Sequence, residues 1–351
     1  MTTSKRIFNS AFETALPIIA VVLALAVGAG MLLALNTSPL TAYGAMFEGA
    51  FGSVSGFTQV LVKATPLLLV GLGVCIAFRG GVINIGGEGQ MIMGALAASA
   101  LALSLPTLPG LVLLPLTVLA GVLGGFIWGG VPGLLKARLG VNEILSTIML
   151  NEIAIQLSNY LLRGPLIDPE QLAAGTQIAQ TASLPQQVWL TRLVPQTLLH
   201  SGAILAVIMA VLVYVLLWRT TVGYRIRAVG FNPDAAKYAG IRVPVYQALA
   251  LALAGAFAGL AGSMEVLGVQ HRMMEGVSGG YGFSGIVAAL FGKLHPLGAI
   301  PASVLFGGLL VGADKMQRAV QVPSALIEAL QGLVVLFVVS SEIWVRKRKK
   351  N

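Results

Sequence analysis

Long apolar runs, separated by short polar breaks and by turns marked with glycine and proline, dominate the chain. The run 203–218 carries no charge and no alternation of apolar and polar residues, so it reads as a membrane helix rather than a barrel strand. Runs near the roughly 20 residues that cross a bilayer recur along the sequence, and about ten spans are predicted. Their approximate limits are 15–35, 59–78, a third from after Gln90 to 105, 111–135, 141–162, 198–218, 245–266, a short or broken eighth within 276–292, 296–311 and 325–345. Pro106 and Pro109 mark the turn between the third and fourth. The segment 37–56 is predicted to be external and partly amphipathic. The stretch 163–196, with Asp168, Glu170 and several glutamines, is the longest polar one, and parity puts it outside. The first run exceeds the roughly 7–15 residues of a secretory leader, so an uncleaved first span is expected.

Composition sharpens this picture. Apolar residues make up 56% of the 351 and charged residues only 10%, against about 25% charged in a soluble domain. The 43 glycines suit close helix packing and broken helices. The net charge of +9 does not read as a nucleic-acid surface, because it sits in short blocks between apolar runs: Lys5 and Arg6, Lys136 with Arg138, 219–242, and 346–350. Cytoplasmic loops have that character. With the ten spans above, all four blocks fall on one side and both termini are cytoplasmic. The single Cys75 lies in an apolar run, so no internal disulfide can form.

The expected fold is therefore an all-α membrane protein, a single transmembrane domain over 1–351. A weak internal repeat suggests two inverted-topology halves, about 1–197 and 198–351. Gly87, Glu88, Gly89 and Gln90 open an apolar helix in the first, and Gly280, Tyr281, Gly282 and Phe283 open one in the second. In this topology the two helices enter from opposite sides, as an inverted repeat requires.

Ionisable and amide side chains inside spans are costly and need a reason. Glu88 follows a glycine-rich break, where freed amides and a helix N-terminus can stabilise its carboxylate. With Asn84 and Gln90 it either borders a midplane solute route or caps the break. In the fifth span Glu143, Thr147 and Asn151 recur at i, i+4, i+8 and share a face, with Asn142 and Ser146 beside them. That stripe either lines a pathway or makes interhelical hydrogen bonds. Tyr281 and Phe283 join the pathway candidates through the repeat. Lys63 and Glu265, near span ends, are expected to snorkel to the interface. Catalysis is not indicated. Gly292 and Lys293 are followed by Leu294 and lack the upstream glycine of a nucleotide-binding loop, and the three histidines are too scattered for a metal site.

The loop 219–242 holds a further local signal. Asn232 can cap a helix whose first residue is Pro233, with Asp234 complementing the dipole in its first turn. Ala235, Ala236 and Ala239 make that helix small-sided, and Gly240 ends it. Such a helix suits either a structural loop or docking into a groove on another subunit. The segment from Ile226 through Gly230 to Ile241 resembles the coupling-helix motif of ABC importer permeases, in which a glycine precedes a short alanine-rich helix that engages the ATPase. The stretch from Asn84 to Gln90 resembles the Asn-Ile-Gly-x-Glu-Gly-Gln signature of the nucleoside-type branch of the ribose and branched-chain amino-acid permease superfamily. Val141, Asn142 and Glu143 through Asn151 are similar to the same branch. The resemblance implies a permease subunit that binds no cofactor and imports a nucleoside or related small polar solute across the bacterial inner membrane. It implies a cytoplasmic ATPase that hydrolyses ATP, a second related permease and an extracytoplasmic binding lipoprotein as partners. ATPase coupling falls to Gly230, Asn232, Pro233, Asp234, Ala235 and Ala236. The alternatives are a sugar or branched-chain amino-acid permease, an ion-coupled secondary transporter using Glu88 and Glu143, and an intramembrane enzyme.

Overall fold

The computed structural model describes residues 21–176 and 178–323, together with Ile19 and isolated positions between 326 and 340. The helices are α1 (Val21–Ala34), α2 (Pro39–Phe51), α3 (Val54–Arg79), α4 (Gly87–Ser104), α5 (Gly110–Leu139), α6 (Glu143–Arg163), α7 (Pro169–Ala173) and α8 (Gly202–Arg219). There follow α9 (Thr221–Phe231), α10 (Pro233–Tyr238), α11 (Val243–Glu265), α12 (Tyr281–Phe291) and α13 (Pro296–Val320). The chain packs as two compact units, residues 61–304 and the remainder.

Within 61–304 the centre is built on missing side chains. Along α5, Gly121, Gly125, Gly129 and Gly133 recur every fourth residue and so line one face, opposite Gly255 and Gly259 of α11. A β-carbon on Gly129 would sit 2.6 Å from the Leu251 carbonyl oxygen and 2.9 Å from Gly255 Cα. Such contact lets two backbones approach, which is how apolar helices gain packing where lipid offers no hydrophobic advantage. Gly94 of α4 meets Gly259 in the same way, so α4, α5 and α11 form one tightly joined triplet.

One end of this unit gathers the basic residues. Arg79 ends α3, Lys136 and Arg138 lie in the last turn of α5, and Arg219 ends α8. Gly133 packs on Ala248 near the start of α11, and Gly80 lies against Ala250 and Ile226 of α9. The two described basic blocks thus converge; the blocks at 5–6 and 346–350 lie outside the described residues. At this end Trp218 has the guanidinium carbons of Arg79 and Arg227 at 5.4 and 5.5 Å from its ring centroid. Arg79 Nε also donates to the Leu294 carbonyl at 3.2 Å, and Arg227 Nε to that of Leu217 at 2.9 Å.

In the other unit, Leu32 of α1, Ala42 of α2 and Ala313 and Met316 of α13 share a buried apolar cluster. The Tyr43 hydroxyl donates to the Leu25 carbonyl at 2.6 Å.

Two expectations change and the count of ten spans is not confirmed. Among the described residues five helices are long and apolar enough to span: α3, α5, α8, α11 with its π-helical continuation to Gln270, and α13. Of the other expected spans, α1 and α12 are shorter apolar helices, α4 opens on Glu88 and Gln90, and α6 carries Glu143, Glu152 and Arg163. Most of the tenth span lies outside the described residues. Glu265 does not snorkel: α11 runs on through a π turn at Val266–Gln270, which leaves its side chain 6% exposed and accepting from Gln270 Nε2 at 3.4 Å. Finally, the loop 219–242 is helical twice, since Thr220 Oγ1 accepts from the Gly223 amide and caps α9 before Asn232 caps α10.

Candidate functional site

The two glycine-flanked helix starts that the sequence pairs as a repeat meet in space. The N-cap residue of α4 is Gly86 and that of α12 is Gly280, and neither has a side chain with which to cap its own helix. The first amides of a helix need acceptors from somewhere, and here the neighbouring helix supplies them. Glu88 Oε1 accepts from the Gly280 amide at 3.1 Å, and its Oε2 from the Gly282 amide at 2.9 Å. Asn151 of α6 does the same for α4, its Oδ1 accepting from the Gly89 amide at 2.8 Å. Two positive helix ends and the carboxylate between them satisfy one another electrostatically.

The close approach depends on glycine. A side chain on Gly282 would overlap the Glu88 backbone, and a β-carbon on Gly87 would lie 3.0 Å from the Gly282 carbonyl oxygen. Gly280 has φ 77°, the left-handed region that favours glycine. Val70 of α3 packs against both Gly87 and Gly285, which sets the junction roughly 14 Å along α3 from its basic end. From there α12 follows α3 towards Arg79, with Gly71 beside Gly285 and Ala289, whereas α4 departs along α11. The two helices leave the junction in opposite directions.

The connection 80–86 is fixed by a second set of bonds. Asn84 Nδ2 donates to Gln90 Oε1 at 2.9 Å, and Gln90 Nε2 to Asn84 Oδ1 at 3.1 Å. Asn84 Oδ1 also accepts from the Gly86 amide at 2.9 Å. Ile85 is held on both sides, its amide donating to Thr147 Oγ1 at 3.4 Å and its carbonyl accepting from Asn151 Nδ2 at 3.0 Å. Asn84, Gln90, Thr147 and Asn151 are buried and bonded to protein. At these two positions the α6 stripe therefore bonds to protein, Thr147 to the 80–86 connection and Asn151 to both the connection and α4.

Other candidates lie apart. Asn142 is exposed and caps α6 by accepting from the Ile144 amide at 2.9 Å, and Glu143 pairs with Lys136 Nζ at 2.6 Å. Tyr281 packs against the apolar core, while Phe283 is 49% exposed.

A cavity of about 340 Å³ opens beside Glu88, on the side away from the basic end, within the usual range for small-ligand sites. Ser158 and Asn159 of α6 and the segment 273–280 border it. Ser158 was readable in principle, since it lies seven residues beyond Asn151 on the same helix face.

In the loop at the basic end, Gly230 of α9 sits against the Arg79 carbonyl and 2.7 Å, by its would-be β-carbon, from the Gly81 amide nitrogen. Gly81, at φ 73°, is the turn that leads from α3 into the 82–86 connection. On α10, Asn232 Oδ1 accepts from the Ala235 amide at 3.1 Å. Ala236 faces inward, whereas Asn232, Pro233, Asp234 and Ala235 are exposed. Phe231 and Tyr238 are 93% and 95% exposed, so two aromatic rings stand out from the same short segment.

The family model of the branched-chain amino acid transport system permease component matches residues 56–339. The glucose ABC transporter permease protein TsgB13 of Haloferax volcanii is 38% identical over 340 residues, 95% of this chain and 88% of the relative. The guanosine ABC transporter permease protein NupP of Bacillus subtilis is 37% identical over 93% of this chain and 92% of the relative. The nucleoside ABC transporter permease protein NupB of Lactococcus lactis subsp. cremoris is 32% identical over 94% and 92%. Each of these organisms also holds a second, more distant permease match, at 30%, 29% and 28% identity respectively.

Proposed function

We propose, because the chain belongs to the family of branched-chain amino acid transport system permease components, that it is the membrane-spanning subunit of an ATP-driven importer whose solute is a nucleoside. The observation that carries this reading is α10: a capped, small-sided helix with Phe231 and Tyr238 bare to solvent beside it, seated on the turn that opens the polar junction. Exposed aromatic side chains of this kind are the usual anchors of a protein interface. A separate cytoplasmic ATPase hydrolyses ATP and docks there, and this chain binds no nucleotide of its own. The basic end is cytoplasmic by the positive-inside rule, so the chain sits in the inner membrane with both termini inside, and an extracytoplasmic lipoprotein delivers solute to the opposite end. The paired matches in three organisms support a heterodimeric pore built with a second, related permease. The opposed directions of α4 and α12 support two inverted halves.

The test is ATP-dependent guanosine uptake by the complete transporter, with Ala235→Arg placed on the exposed face of α10. Arg is a good helix former, so insertion should persist while ATPase co-purification and uptake are lost. Wild-type capture and uptake in Ala235→Arg would remove the docking role. A sugar is the second reading, favoured by the similarity to the glucose permease protein; competitive uptake with glucose against guanosine separates the two.

A further inference from the structure

The cavity beside Glu88 combines features that point to a particular class of solute. Glu88 uses one acceptor position on each oxygen for α12, and a carboxylate offers about four in all. Ser158 is 2% exposed, and its Oγ has no hydrogen-bond partner, a state it shares among the described residues with Ser99, Thr117 and Ser303, of which none borders this cavity. Asn159 and Ser278 add amide and hydroxyl groups to the same lining. The remaining wall is apolar and adaptable, with Ile155 and Met273, and a thioether packs well against a flat ring. No lysine or arginine is among the lining residues. Glu275, at the rim, is paired with Arg163 at 3.0 Å.

We propose that this cavity is the solute site of the permease and that it selects an uncharged, hydroxyl-bearing ring compound, a nucleoside in its simplest form. Glu88 and Ser158 receive the hydroxyl groups, and Ile155 and Met273 receive the faces of the ring. A zwitterionic amino acid or a phosphate brings an anionic group, and the cavity offers it a carboxylate and no cation. The assignment rests on the importer reading above. It moves recognition away from Asn84, Gln90, Thr147 and Asn151, whose polar atoms bond the protein to itself.

The chain has one cysteine, Cys75, which is fully buried, so an introduced cysteine reports on its own surroundings. Asn159→Cys, with Ser278→Cys as a second reporter, is assembled into the transporter complex and labelled with a maleimide in the presence of guanosine, leucine or inorganic phosphate. Guanosine should slow labelling of either reporter several-fold, and leucine and phosphate should not. Glu170→Cys, on exposed α7, should label at one rate throughout. Adding Ser158→Ala should raise the half-protecting guanosine concentration roughly 2- to 10-fold, the factor for one neutral hydrogen bond. Unprotected reporters in a complex whose unmodified form imports guanosine would overturn the site and leave the import reading standing, as would equal protection by leucine. Absence of guanosine uptake by the unmodified complex would instead overturn the import reading.

Discussion

Replacing Glu88 by glutamine tests whether the α4–α12 junction works as a latch. The exchange conserves shape but turns one oxygen into an NH2 group. One of the two amides, Gly280 or Gly282, then keeps an acceptor, and the other faces a donor in a site where Glu88 is 7% exposed. An unsatisfied buried N–H costs about 1–3 kcal/mol, and loss of the negative charge at a helix N-terminus adds about 0.3–1 kcal/mol. The combined loss is about 1.3–4 kcal/mol. If the joined arrangement is one of two that alternate during transport, the balance between them shifts roughly 8- to 700-fold, at 1.4 kcal/mol for each factor of ten. ATP-dependent guanosine uptake at matched membrane levels should therefore fall about eightfold or more in Glu88→Gln, and the purified protein should melt at lower temperature. Glu48→Gln is the control, because Glu48 is exposed and its side chain caps nothing in the junction. Glu88→Asp keeps the charge but is one methylene too short to reach both amides, so it should fall between the two. Wild-type uptake and melting in Glu88→Gln would refute the latch.

Further outcomes follow from other contacts. Gly282→Ala would drive a methyl group into the Glu88 backbone, so uptake should be lost with insertion retained, measured on the same complex. Gly125→Leu would overlap Gly255 and Gly259 across the α5–α11 seam; overpacking costs about 1–3 kcal/mol or more, and thermal melts in detergent should show a clear drop. Gly230→Val should leave ATPase co-purification intact, because α10 remains exposed, while solute-stimulated ATP hydrolysis falls sharply as α9 is pushed off the Arg79–Gly81 turn. Tyr238→Ala should weaken ATPase capture by about 1–2 kcal/mol, the common range for an interface aromatic, in a pull-down titration.

What the sequence made legible was local. Asn232 and Pro233 announce α10 because an N-cap and an N1 proline act within one helical turn, and the structure has that helix with that cap. The spacing of Thr147 and Asn151 placed them on one face, and both do reach the 85–89 segment. The identity of their partners was not legible, because a stripe gives the face but not the neighbour. Glu88 shows the limit most clearly. Glycine and an acidic first turn allowed a cap, yet the capped amides lie 192 and 194 residues further along the chain. No local rule links such positions. The repeat did associate the two segments, without telling that they touch. Helix α9 escaped because it starts two residues after α8 ends, with only Thr220 between, so its pattern merged with a basic loop. Glu265 misled for a similar reason: hydropathy fades near it, but the backbone tightens into a π turn and carries on.

The order of these contacts along the chain gives coupling a physical route. A docked ATPase can act on solute only by displacing backbone, and α10 is joined to α9 through Asn232 alone, which caps one helix and ends the other. Gly230 then bears on the turn at Gly81 without any side chain to absorb the motion. Trp218, beside Arg79 and Arg227, ties the end of α3 to α9, so a tilt of α9 moves the turn rather than sliding over it. Beyond the turn, Asn84 and Ile85 are each held by more than one hydrogen bond, which makes the connection a stiff link instead of a slack loop. Its far end is Glu88. Displacement delivered there acts on two charge-assisted bonds to α12, the contacts most sensitive to distance and direction in the junction. A shift of the turn is therefore passed to these two bonds, and packed interfaces of this kind switch between discrete states rather than deform continuously. The weak element in this route is the junction and not the docking helix, which is why Gly230→Val and Glu88→Gln should both spare ATPase capture while Ala235→Arg should not.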